Sequence, residues 1–128
     1  AGVRIEAIPG PSALTAALSL AAIPGNQFTF LGFVPQKKGR QTFFKELAQL
    51  PQPVIFFEST HRIMKTLESL VDVASGNDEG VVCTLTVARE LTKLHEEVVV
   101  GTPVEVKEHF TQQPIKQKGE FVIIFSLS

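Results

Sequence analysis

The sequence contains no tryptophan and no tyrosine, one methionine and one cysteine in 128 residues. A lone cysteine excludes an intramolecular disulfide, and with it the small secreted domains that depend on cross-links. Cys83 lies mid-strand among β-formers and reads as a small buried hydrophobe, suited to a reducing cytoplasm. No apolar run approaches the roughly 20 residues that a bilayer span requires, and no signal-peptide pattern opens the chain, so no membrane partner is expected. Neither sign of charge dominates. The formal net charge is -1, which excludes a chain-wide basic surface and requires any nucleic-acid contact to come from a local patch. The three histidines, His61, His95 and His109, share no ligand spacing, and no metal is expected. There is no internal repeat and no low-complexity linker.

What is present is a core. Hydrophobic residues make up 44% of the chain and charged residues 20%, a globular balance, and the length suits one domain. Val3 to Ile8 reads as a strand stopped by Pro9-Gly10-Pro11. A helix follows with Leu14, Ala17, Leu18 and Ala21 on one face, closed by Pro24-Gly25. FTFLGFV (28–34) is a strand, PQKKGR (35–40) a polar loop, and Phe43, Leu47 and Leu50 mark a helix that stops at Pro51. PVIFFE (53–58) is continuously apolar, the pattern of a strand buried on both faces. Ile63, Leu67, Leu70, Val71 and Ala74 align on a longer helix ended by SGNDEG (75–80). VVCTLTVA (81–88) and EVVVG (97–101) are strands, and Thr102-Pro103-Val104-Glu105 opens a helix with a capping box. Val106 and Phe110 share that helix's apolar face, and GEFVIIFSLS (119–128) is a last strand. The alternation predicts an α/β fold, a mixed sheet of about five strands flanked by about four helices.

Ligands of open α/β sheets gather at the carboxyl ends of strands, and unusual segments fall at such ends. IPGPSA (8–13) turns a strand abruptly into a helix. Its N–H groups and helix dipole favour an anionic group, although a rigid turn capped by Ser12 is the simpler account of the residues alone. FESTHR (57–62) ends a buried strand with Ser59 or Thr60 as the natural cap of the next helix. Arg62 in a first turn opposes the dipole, so Glu58 or an external anion is expected beside it. No nucleophile-elbow glycines flank Ser59, which argues against a hydrolase triad with His61 and Glu58. Lys37, Lys38 and Arg40 follow an aromatic strand carrying Phe28, Phe30 and Phe33. Either the aromatics stack bases beside a basic loop, or the loop is solvated over core phenylalanines.

Between two strands lies ARELTKLHEE (88–97), with Arg89, Glu90, Lys93, His95, Glu96 and Glu97 as titratable groups. It has neither the glycine or asparagine pair of a tight hairpin nor the apolar spacing of a solvated helix. Either the segment is a solvated loop, or Leu91 and Leu94, which alternate with the charges, anchor it on the body and hold Arg, Lys and His in fixed positions.

PGPSALTAAL, GFVPQKKGR, FFESTHRI, ARELTKLHEEVVVGT and GEFVIIF, in this order, resemble the bacterial small-subunit rRNA methyltransferase I family of the tetrapyrrole-methylase-like S-adenosylmethionine enzymes. ARELTKLHEE and ESTHR are specific to the rRNA branch; PGPSALTAALSLAAIP is shared more loosely with cobalamin and siroheme methylases. The resemblance implies a cytoplasmic two-domain enzyme, a homodimer in its full length. It would use S-adenosyl-L-methionine to methylate a cytidine 2′-hydroxyl in the rRNA of the small ribosomal subunit. Because the glycine-rich cofactor loops of the family's first domain are not in this sequence, residues 1–10 are expected to be that domain's last strand and linker. Residues 11–128 are then the C-terminal α/β domain, inactive alone.

The resemblance further implies roles. Pro9, Gly10, Pro11, Ser12 and Ala13 would form cofactor-cleft backbone. Glu90, His95 and Glu96 are the candidate bases for the hydroxyl proton. Glu58, His61, Arg62, Arg89 and Lys93, with Lys37, Lys38 and Arg40 further out, would meet the RNA, with an affinity that falls steeply with salt. The alternatives are a non-catalytic RNA-binding or dimerisation module and a small-molecule tetrapyrrole methylase.

Overall fold

The computed structural model describes residues 28–76, 80–89, 97–117 and 119–127. The expected strand at 3–8, the helix around Leu14–Ala21 and the Pro9–Ala13 turn lie outside the described residues. Among the described residues a five-stranded mixed sheet runs β1 (Thr29–Phe33), β2 (Val54–Ser59), β5 (Glu120–Leu127), β3 (Cys83–Arg89), β4 (Glu97–Gly101) in spatial order. β1 is parallel to β2, and the β2–β5, β5–β3 and β3–β4 pairs are antiparallel. Three helices accompany it: α1 (Arg40–Glu46), α2 (Ile63–Ser75) and α3 (Pro103–Thr111).

The apolar runs dictate this arrangement. β2 and β5 are central strands whose successive side chains enter opposite layers, so both need hydrophobes at every position rather than at alternate ones. Val54, Phe56, Phe121, Ile123 and Phe125 enter the main core, against Leu47 and against Ile63, Leu67 and Leu70 of α2 and Val106 and Phe110 of α3. Ile55, Val122 and Ile124 enter a second cluster with Ala88. Cys83 is buried at the start of β3, and burial pushes its thiol up to about 11, so it serves as packing. At Thr102 the capping box is complete: the hydroxyl accepts from the Glu105 N–H, and Glu105 Oε1 accepts from the Thr102 N–H at 2.9 Å.

The structure revises several expectations. Arg40 belongs to α1 rather than to the preceding loop, and Phe44, not Phe43, is the buried aromatic of that helix. β3 begins at Cys83, leaving Val81 and Val82 exposed. Neither Ser59 nor Thr60 caps α2; Arg62 stands at that position without a side-chain cap. Phe28, Phe30 and Phe33 are 40%, 46% and 64% exposed, so they are not core residues. In β1 the register slips between Phe30 and Gly32, and Gly32 takes φ 73°, a bulge that an L side chain would strain.

The register brings the loops together. Phe33 faces Phe57, Ser59 faces Glu120, and Arg89 faces both Phe121 and Glu97. The carboxyl ends of β1, β2 and β3 and the amino ends of β4 and β5 therefore share one rim of the sheet. The GFVPQKKGR, ESTHR and ARELTKLHEE segments all leave from it.

Candidate active-site rim

Glu58 occupies the β2 position where the core pattern calls for another hydrophobe, and it is 1% exposed. A carboxylate there is tolerated only with donors on both oxygens. Oε1 accepts from the Ser59 backbone N–H at 2.8 Å and from Arg62 Nε at 3.3 Å, and Oε2 accepts from the Thr66 hydroxyl at 2.5 Å. The Thr66 oxygen accepts in turn from Arg40 Nη2 at 3.1 Å, and the Arg40 guanidinium lies 5.0 Å from the Phe44 ring centre. Two arginines, one threonine and one buried carboxylate thus tie α1, β2 and α2 into one unit. Arg62 has the partner that its place against the helix dipole demands. Thr60 closes the turn on the other side: its hydroxyl donates to the Gly119 carbonyl at 2.9 Å and accepts from the Gly119 N–H at 2.7 Å. His61 alone of this motif points to solvent.

A second ionic cluster lies where β3 and β4 part. Glu97 Oε2 accepts from Lys116 Nζ at 2.7 Å, while Oε1 lies 3.7 Å from His109 Nε2 and 4.0 Å from Arg89 Nε. Burial alone would raise the Glu97 carboxyl, but Lys116, by hydrogen bond and by charge, and then His109 outweigh it and hold the group below the usual 4.5. This cluster clamps the stem of the charged β3–β4 connection. Glu90, Lys93, His95 and Glu96, on the connection itself, lie outside the described residues.

Of the sequence-derived candidates, Glu58, Arg62, His61 and Arg89 reach the same rim. Lys37 and Lys38 are exposed on the loop after β1 and make no ion pair among the described residues. Arg40 is turned inward to Thr66 and Phe44. His109 and Lys116 carry no spacing signal: they reach Glu97 only because α3 and the turn at Pro114–Gln117 fold back over β4, and sequence reading gave them no role. No cluster of potential metal ligands occurs among the described residues.

A mixed sheet with charged loops leaving one rim defines an open α/β domain, whose ligands gather at strand ends. In fold the chain is similar to the crystal structure of the methyltransferase CobJ, with a TM-score of 0.61 and 20% identity over 98% of this chain and 52% of that one. It is similar also to the cobalt precorrin-4 methyltransferase CbiF, with a TM-score of 0.62 and 19% identity over 98% and 53%. Residues 1–107 match the family model of the Tetrapyrrole (Corrin/Porphyrin) Methylases, and the chain belongs to that family. Similar curated proteins are named Ribosomal RNA small subunit methyltransferase I. The one from Xylella fastidiosa (strain 9a5c) is 42% identical over 97% of this chain and 44% of its own length. That from Thermotoga maritima is 34% identical over 98% and 53%, and that from Escherichia coli O157:H7 is 41% identical over 97% and 42%. The chain spans about half the length of these relatives.

Proposed function

We propose that this chain is the C-terminal domain of a cytoplasmic, S-adenosylmethionine-dependent methyltransferase acting on a cytidine 2′-hydroxyl of small-subunit rRNA. The observation that carries this reading is the convergence of GFVPQKKGR, ESTHR and ARELTKLHEE on one rim, in a chain whose curated relatives bear the rRNA methyltransferase name. Ala1–Gly10 then belongs to the preceding domain, and the longer protein is a homodimer. Among the described residues no helix is long and apolar enough to cross a membrane.

The cofactor supplies an electrophilic methyl group on a sulfonium. Pro9–Ala13, assigned to it by resemblance, lie outside the described residues. The described rim offers the chemistry of a polyanion site instead: Lys37, Lys38, Arg62 and Arg89 along it, exposed aromatics at its β1 edge, and the carboxylates of Glu58 and Glu97 already engaged by cations. Arg62 and Arg89 hold phosphates flanking the target nucleotide. The ribose oxygen must lie in line with the methyl group, and its proton must leave as the new O–C bond forms. Glu90, His95 or Glu96 takes that proton, on a loop whose stem is fixed by Glu97, Lys116 and His109.

Calorimetric titration of the longer protein with S-adenosylmethionine tests the enzyme reading. One cofactor per protomer is expected, and none by residues 1–128 alone. No binding by the longer protein would turn the reading to a non-catalytic RNA-binding or dimerisation module.

A further inference from the structure

We infer that Phe30, Phe33 and Phe57, with Lys37 and Lys38, form a stacking platform for an unpaired RNA base next to the site of methyl transfer. The inference rests on the function proposed above and adds to it a second recognition element, one that reads bases rather than phosphates.

The bulge in β1 makes the platform. In a regular strand Phe30 and Phe33, three residues apart, would point to opposite faces of the sheet. The slip between Phe30 and Gly32, with Gly32 at φ 73°, turns Phe33 back to the face of Phe30. Both rings then flank Phe57 edge-on, at centroid distances of 5.2 Å for Phe30 and 5.4 Å for Phe33. The intervening Leu31 remains packed on the main core.

Holding three phenylalanines in this way leaves Phe30 46% and Phe33 64% exposed, a poor use of apolar surface unless a partner covers it. Charge identifies the partner. Lys37 and Lys38 are exposed, carry no ion pair among the described residues and follow Phe33 on the same loop. Four residues of chain span at most about 14 Å, so Lys37 stays close to the rings. Aromatic faces supply stacking that tolerates any base, and exposed lysines supply phosphate contacts, which together suit single-stranded RNA. Phe33 lies at the carboxyl end of β1, on the rim that carries ESTHR and Arg89.

The test uses the longer protein and two probes, a fluorescein-labelled single-stranded RNA dodecamer and inorganic polyphosphate, which has charge but no bases. Phe33→Leu, at an exposed position that does not endanger folding, should weaken RNA binding about 5- to 150-fold and leave polyphosphate binding unchanged. Phe33→Trp should restore RNA binding, with indole emission quenched as the base stacks. RNA affinity unchanged in Phe33→Leu, or lost in parallel with polyphosphate affinity, would overturn the platform. If the wild type still methylates rRNA in that case, the proposed function stands without it; if the wild type binds no RNA at all, both fall.

Discussion

Thr66 is a single buried hydroxyl on which two charged groups depend. It donates to Glu58 and accepts from Arg40, and no other residue could bridge α1 to β2 at that point without a polar atom. Thr66→Val keeps the shape and removes both bonds, leaving a buried carboxylate short of a donor. The expected loss is about 2–3 kcal/mol in urea unfolding, against about 1 kcal/mol for Thr66→Ser, which keeps the hydroxyl. A loss for Thr66→Val no larger than that for Thr66→Ser would show that the two hydrogen bonds contribute no more than the methyl.

Glu97 makes a prediction in pH. Its folded carboxyl lies below its unfolded value of 4.5, held there chiefly by Lys116, so the stability it contributes is fully present above that value. The contribution disappears as pH falls through the lower folded value. The stability gap between wild type and Glu97→Gln should therefore narrow on acidification below about 4.5. Parallel curves would contradict the assignment. The sequence made Glu58 and Arg62 legible as a pair because four residues of one turn separate them. It could not do so for Glu97, whose partners are set by how α3 folds back over β4.

Elements announced by local chemistry were the ones read correctly. The continuous apolar run of β2 requires burial on both faces, and Thr102 with Glu105 specifies a helix start whatever lies around it. Thr102→Ala should cost about 1 kcal/mol in thermal or urea unfolding. Elements whose shape depends on a neighbour were misread. Thr60 looks like a cap until Gly119, just ahead of β5, takes both of its hydrogen bonds. The bulge at Gly32 is likewise invisible in the pattern, so its phenylalanines passed equally well for core. Its φ of 73° is the reason a glycine is there, since a Cβ would meet nothing within 4 Å. Gly32→Ala should cost about 1 kcal/mol from backbone strain alone. A neutral result would mean that β1 adopts a regular register in solution.

At the scale of the molecule, topology does what no motif does alone. Antiparallel β5 between β2 and β3 places the carboxyl ends of β2 and β3 on one rim, and parallel β1 adds its own. Segments separated by dozens of residues thereby share one rim, with ionic clusters at β2 and at β3–β4 and exposed lysines and aromatics at the β1 edge. Family membership places this chain among the tetrapyrrole methylases; methyl transfer to an RNA hydroxyl rather than to a tetrapyrrole carbon is the central proposal. Its most direct test is transfer of labelled methyl from S-adenosylmethionine by the longer protein, offered small ribosomal subunits and uroporphyrinogen side by side. The account predicts label on a single cytidine 2′-oxygen of the small-subunit rRNA and none on the tetrapyrrole. Label on uroporphyrinogen with none on the rRNA would contradict it.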